Sequence, residues 1–489
     1  VRSDPEKASL LSSLDLLRLV VAAGPPLFDH LASFQEVDFL QSLRQRLILL
    51  RQARSYELLS DDDELRQLEE LLSKHLNATK GMAGWPARCL AARLMLDDPT
   101  VAQQQPPPDE RAHAPTAAQA EAAAEALRVH EAVVAKANAL APHERPKDED
   151  GNWSRYGGAW LEPLLEHTTL IDARYLLALA DAGGIVPRWQ ELPEAARITP
   201  ANVWRLKAAA SGQLPVLVLS YPWLDKDHPD RMGETLRRVA PVLRAWLAYV
   251  TEEFSEHCTI GVLWDYTSLP QRPYDDDGQQ ARFKRGLTSI DKWYSHPHTV
   301  TLRVTNALPT GAEYTNTRPY ERRGWCFFET HISAIAKNSY CLLDLNELKD
   351  AEQGWGGMWK QMLSSRRPFV SPDDFAAEMS AGVASGALAF TAGADEAFVI
   401  GKYRTGFLDA FTQHTTRQQD GGDMYFPFLG WGDAEAAVLV RAIAYAVRHC
   451  EFEEGAAPVE LDLRANKFGE EAKAAIRGAC GGKIELGGI

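Results

Sequence analysis

Cysteine is scarce and scattered. The six cysteines, Cys89, Cys258, Cys326, Cys341, Cys450 and Cys480, contain no Cys-x-x-Cys pair. That spacing excludes a dense disulfide framework and a zinc knuckle, and it points to reduced thiols in a reducing, cytoplasmic compartment. Basic charge is short as well. A net charge of −15 leaves no cationic excess to displace counterions, which argues against nucleic acid as the main partner. No apolar run reaches the ~18 residues of a membrane span. The early stretch "LLSSLDLLRLVVAAG" carries Asp15 and Arg18 inside its apolar run, unlike a signal peptide. Metal ligands are equally thin. "HPH", His296 to His298, has no carboxylate or thiol neighbour and reads as a loop entering a strand. "YDDDG", Tyr274 to Gly278, lacks the alternating ligands and closing Glu of a calcium loop and reads as a solvated turn. No metal and no bound cofactor is expected.

What remains is ordinary globular usage: 45% apolar and 24% charged residues exclude global disorder. The 489 residues allow roughly three domains. Residues 1–97 read as amphipathic helices, with "ELRQLEELLSKHL" following the acidic run Asp61 to Asp63 that suits a helix start. A Pro-rich linker and a further helical region cover 98–213, with an Ala-rich helix over about 117–141. "WLEPLLEHTTLIDARYLLALADAGG" reads as another helix, stopped by Gly183-Gly184.

The character changes at Leu214. "LPVLVLS", "TIGVLWD", "TVTLRVT" and "SYCLLDL" are short apolar runs of the kind buried on both faces of a sheet. Helical patterns separate them. The first runs from Gly233 to about Phe254, with Pro241 expected to kink or restart it. Residues 214–350 therefore predict an α/β domain, a doubly wound parallel sheet of flavodoxin-like order. Residues 351–420 read as a connecting helical and loop region. In 421–489, Leu461, Leu463, Asn466 and Phe468 fall at leucine-rich-repeat spacing before a helical segment, and "KIELGGI" could open another repeat.

In such a sheet, ligands sit beyond the carboxyl ends of the strands where the order reverses. The first strand delivers Ser220, Tyr221, Trp223, Asp225 and His228 there, and the second delivers Asp265, Tyr266, Ser268 and Gln271. Across from them comes "RGWCFFETHISAI", whose apolar stripe of Trp325, Phe328, Ile332 and Ile335 also contains Glu329. A stranded carboxylate costs several kcal/mol in a core. Three readings explain it: Glu329 pairs with Arg322, Arg303 or a backbone amide, it faces a ligand, or it turns to solvent. Core packing is the competing reading for Trp223 and Trp325, and a turn hydroxyl for Ser220.

"WCFFE" resembles the Trp-Cys-x-x-Glu of Toll/interleukin-1 receptor (TIR) domains. "LVLSYPW", "LWDYTSLPQ" and "RGWCFFET", with "SIDKWYSHPHTVTLRV", resemble the successive motifs of the related heterokaryon-incompatibility (HET) domains. The likeness covers about 214–345. It implies either of two roles. In one, the α/β domain is a non-catalytic scaffold that self-associates, while the leucine-rich segment and the helical region dock protein partners. In the other, NAD is a substrate, and Glu329 is the catalytic carboxylate for cleavage of the nicotinamide–ribose bond. There Tyr221, Trp223 or Tyr266 would stack on a ring, and Arg322 and Arg323 would meet phosphates beside the free amides of the helix start. Ser220, Asp265 and Trp325 complete the expected substrate-binding set.

Overall fold

The computed structural model describes residues 116–145, 152–206, 212–308, 314–363, 366–390, 395–412, 424–450, 452 and 458–489. The helices expected over 1–97, the Pro-rich linker and Cys89 lie outside them. Apart from Asp395–Gly401 at the start of one helix, everything below belongs to one compact unit, Pro107–Phe390 with Lys402–Ile489.

The first described helix, α1 (Ala117–Asn138), starts at a capping box. Thr116 and Gln119 each accept from the other's backbone N–H. The stretch expected to be one helix over 160–184 is broken instead. After short helical turns ending at Glu166, Leu170–Asp172 forms strand β1, and only then does α2 (Ala173–Asp181) begin. The cause is local: Pro163 and the β-branched run Thr168, Thr169 and Ile171 disfavour a continuous helix, and Asp172 caps α2 through the Arg174 N–H. Gly183 then adopts a left-handed φ of +75°, and the Gly184 N–H reaches back to Leu179 O at 2.8 Å, closing α2.

The main sheet has six strands: β1, β2 (Arg197–Ile198), β3 (Val216–Ser220), β4 (Gly261–Leu263), β5 (Val300–Arg303) and β6 (Leu342–Asp344). Its order is β2-β1-β4-β3-β5-β6. The four strands expected from sequence pair in parallel, in the order β4-β3-β5-β6. The sheet as a whole is mixed, because β1 pairs antiparallel with both β4 and β2. The expectation of an all-parallel sheet is corrected on this point: strands from before Leu214 extend its edge.

Helices α3 (Glu234–Glu253), α4 (Asp277–Ser295) and α5 (Gly324–Ala336) connect the parallel strands. No restart occurs at Pro241, which sits inside one unbroken helix. The turn read from "YDDDG" supplies Asp276, whose carboxylate caps α4 through the Gln279 N–H. Period two divides β3 between two cores. Leu217 and Leu219 join the cluster with Leu236, Val239, Leu243 and Trp246 of α3, where Trp355 stacks on Trp246 at 4.5 Å. Val216, Val218 and Ser220 alternate to the opposite face, where α4 and α5 pack together. Thr301 of β5 marks that face by its 3.1 Å contact with Ser333 of α5.

Beyond β6 come α6 (Gly354–Gln361), α7 (Pro372–Ala384) and α8 (Asp395–Thr412). The C-terminal part is a second, three-stranded parallel sheet of β7 (Met424–Tyr425), β8 (Val459–Asp462) and β9 (Ile484–Gly488). Helices α9 (Asp433–His449) and α10 (Glu470–Ala479) make the crossovers. Asn466 ties consecutive turns: its Oδ1 accepts from the Leu429 and Trp431 N–H groups, and its Nδ2 donates to Phe426 O and Leu463 O. The five described cysteines are free thiols and buried. Among the described residues, no helix is long and apolar enough to cross a membrane.

Candidate functional site

Ser220 closes β3, and its hydroxyl donates to Glu329 Oε2 at 2.5 Å. The contact follows from the pattern. The strand's alternation turns Ser220 toward α5, and α5 presents Glu329 one turn beyond Trp325. When Glu329 is ionised, a 2.5 Å O–H···O⁻ distance is that of a charge-assisted hydrogen bond. Ser220 also lies 2.6 Å from the Tyr320 hydroxyl, which in turn lies 3.0 Å from Thr330 Oγ1.

Among the described residues, no lysine or arginine forms an ion pair with Glu329. The pairing readings fail: Arg303 bonds Asp344 at 3.1 Å, and Arg322 donates to the carbonyls of Gly386 and Ala387. The reading of Ser220 as a simple turn hydroxyl fails with them. Burial pushes the Glu329 carboxyl up to about 8. Ser220 opposes that rise, Asp265 adds to it, and Tyr294 opposes it. A half-buried acid of this kind takes and gives a proton near neutral pH.

Asp265 follows β4 and is a second, half-buried carboxyl group. Three donors hold it: Tyr221 OH at 2.6 Å, Trp223 Nε1 at 2.9 Å and the Tyr266 N–H at 2.7 Å. Burial raises its carboxyl above the ordinary range, and these donors only partly offset that. Sequence reading placed Ser220, Tyr221, Trp223, Asp265, Tyr266 and Glu329 together, and the structure brings all six to the carboxyl ends of β3 and β4. Tyr221 and Tyr266 are buried, which leaves half-buried Trp223 as the aromatic ring best able to meet a ligand.

Three expected site residues are engaged elsewhere. Arg323 donates to the carbonyls of Arg318, Trp223 and Asn316, and Arg322 is occupied as described. The first amide of α5, on Gly324, bonds Ala389 O at 2.9 Å. Both arginines and the first amide of the cradle implied by the resemblance thus bind backbone carbonyls. Trp325 packs edge-on against Phe328 and Phe390. Of the other wall residues, Asp225 accepts from Thr315 and Arg231, and the His228 ring lies 3.1 Å from Val186 O. Ser268 accepts from the Trp264 N–H, and the Gln271 amide donates to Leu269 O. The "HPH" histidines also sit against backbone carbonyls, Gly157 O for His296 and Gly212 O for His298.

Sequence reasoning missed Tyr320, Thr330 and Tyr294. Tyr294 lies buried on α4, its OH donating to Leu219 O at 2.9 Å. Tyr320 sat inside the long β5-to-α5 connection, where no periodicity marks which residue turns inward. A concavity of about 570 Å³ between α2, α3 and residues 351–354 shares no residue with this site.

Compared with protein-family models, curated proteins and solved structures, the chain finds no match.

Proposed function

We propose that the Glu329 cluster binds a cationic glycosidic centre and that the protein cleaves the nicotinamide–ribose bond of NAD. One observation carries this reading: Glu329 and Asp265 are half-buried carboxyl groups whose ionisation burial disfavours, Asp265 adds to that effect at Glu329, and among the described residues no basic side chain is paired to either. Such a site favours a proton or a positively charged ligand. The C1′ carbon of a departing ribose is oxocarbenium-like and positive. As the C1′–N bond breaks, its electron pair passes to the ring nitrogen, and nicotinamide leaves neutral without a general acid. Water then adds to C1′ and loses a proton to the carboxylate or to bulk solvent. Ser220 fixes Glu329 Oε2, leaving Oε1 to face the ribose. The TIR-like and HET-like motifs, and the parallel order β4-β3-β5-β6 with its flavodoxin-like sequence of crossovers, support the reading.

A second reading has its own support. Arg322, Arg323 and the Gly324 amide, the groups expected to meet phosphate at α5, are bound to backbone carbonyls. This favours a scaffold in which the α/β unit self-associates and the leucine-rich-repeat-like strands β7 to β9 dock protein partners. Incubating the full chain with NAD and following nicotinamide release, alongside Glu329→Ala, decides between the two.

A further inference from the structure

A row of hydroxyls runs through the site: Thr330 Oγ1, Tyr320 OH and Ser220 Oγ, in contacts of 3.0 and 2.6 Å, ending 2.5 Å from Glu329 Oε2. Ser220 and Tyr320 are buried, whereas Thr330 and Glu329 are half-buried. Each hydroxyl carries one proton, so the row has two self-consistent arrangements. With Glu329 ionised, Thr330 donates to Tyr320, Tyr320 to Ser220, and Ser220 to the carboxylate. With Glu329 protonated, Glu329 donates to Ser220 and the row reverses. Donors aligned head to tail polarise one another, so the first arrangement binds the carboxylate more strongly than Ser220 alone would.

We infer that Tyr320 is a positioning residue for Glu329, acting through Ser220 to turn that hydroxyl's proton toward the carboxylate. The inference deepens the reading above and rests on it for its catalytic meaning, but the electrostatic effect is independent of any substrate. The placement of Tyr320 is itself well defined. It opens a short helical turn, Tyr320–Arg322, and the chain before it is stitched to the loop after β3. Thr315 donates to Asp225 from both N–H and Oγ1, the Asn316 N–H bonds Leu224 O, and Arg323 bonds Trp223 O and Asn316 O. The ionisable groups coupled to Glu329 are Asp265 after β4, Tyr294 of α4, Cys326 of α5 and Tyr320 itself, while Arg303 of β5 faces Tyr320. None of them removes the need for an ordered hydroxyl at Ser220, because the only hydroxyls touching Ser220 Oγ among the described residues belong to this row.

The test is a titration of the Glu329 carboxyl in the full chain by difference infrared spectroscopy, with Glu329→Gln as the subtracted reference and no substrate present. Tyr320→Phe keeps the ring and removes one hydroxyl. Its expected effect is an upward shift of the Glu329 midpoint by about one pH unit, a tenfold gain in proton affinity. Thr330→Val, which removes the outer hydroxyl without touching Ser220, is expected to shift it the same way by less. Superimposable titrations for wild type and Tyr320→Phe overturn the inference. If circular dichroism shows that Tyr320→Phe does not fold, Thr330→Val decides by the same criterion. An upward shift in a protein that leaves NAD intact supports the electrostatic role and removes the hydrolase reading alone.

Discussion

Ser220 and Glu329 stand 109 residues apart in the chain, yet the hydroxyl of one lies 2.5 Å from the carboxylate of the other. Adjacent strands β3 and β5 make this possible. The crossover after β5 returns α5 over the face of the sheet to which Ser220 points. The carboxylate on the apolar stripe is therefore neither stranded nor paired with an arginine. A hydroxyl at the strand end holds it.

That environment predicts a pH signature in stability. Burial pushes the Glu329 carboxyl up to about 8 in the folded chain, against an ordinary 4.5. The folded state then holds its proton more tightly than the unfolded state, so stability falls as pH rises from about 4.5 to about 8. Glu329→Gln stays neutral and escapes this loss. Relative to wild type it gains on the order of 1 kcal/mol across that window, after allowance for partial exposure. Urea midpoints of both proteins at pH 4, 6 and 9 check it; a difference that stays constant with pH contradicts it.

A second prediction concerns the edge of the sheet. Asp172, fully buried, lies 2.6 Å from Arg205 and 3.9 Å from His130, and accepts from Thr259 at 2.5 Å. Burial pushes its carboxyl up, but Arg205, then His130 and the hydrogen bonds, hold it below the ordinary range. Arg205→Met leaves that charge uncompensated and is expected to cost about 3–5 kcal/mol in urea unfolding, with Asp172→Asn restoring part of the loss in the double variant. Additive losses in the two single variants contradict the pairing.

In the C-terminal sheet, Asn466 bridges two successive strand-to-helix turns with four hydrogen bonds to backbone. Asn466→Ala leaves those backbone groups unpaired and is expected to cost on the order of 2 kcal/mol. Amide exchange at Leu429 and Trp431 should accelerate selectively. Unchanged exchange at both positions contradicts the bridging role.

The four parallel strands were legible because each is an uninterrupted apolar run, as burial on both faces demands. Strand β1 was not: "TTLID" sits between helix-forming segments, and only its pairing with β4 and β2 makes it a strand. The site was legible where residues fall at strand ends or on a periodic stripe, as Ser220, Asp265 and Glu329 do. Tyr320 was hidden because an irregular connection carries no period to show which side chain turns inward. Arg322 and Arg323 were misjudged for a related reason. Their charge suggested phosphate, while the backbone carbonyls that occupy them come from loops whose paths the sequence does not reveal.

The central claim is that Glu329 meets a ligand's positive centre, and nicotinamide release from NAD tests it most directly. Purified full-length chain, assayed over a range of concentrations that includes its assembled form, is expected to release nicotinamide, and Glu329→Ala is expected to reduce the rate by at least a hundredfold, about 2.7 kcal/mol of transition-state stabilisation. Equal release by the two proteins, or none from the assembled wild type, contradicts the account and leaves the scaffold reading.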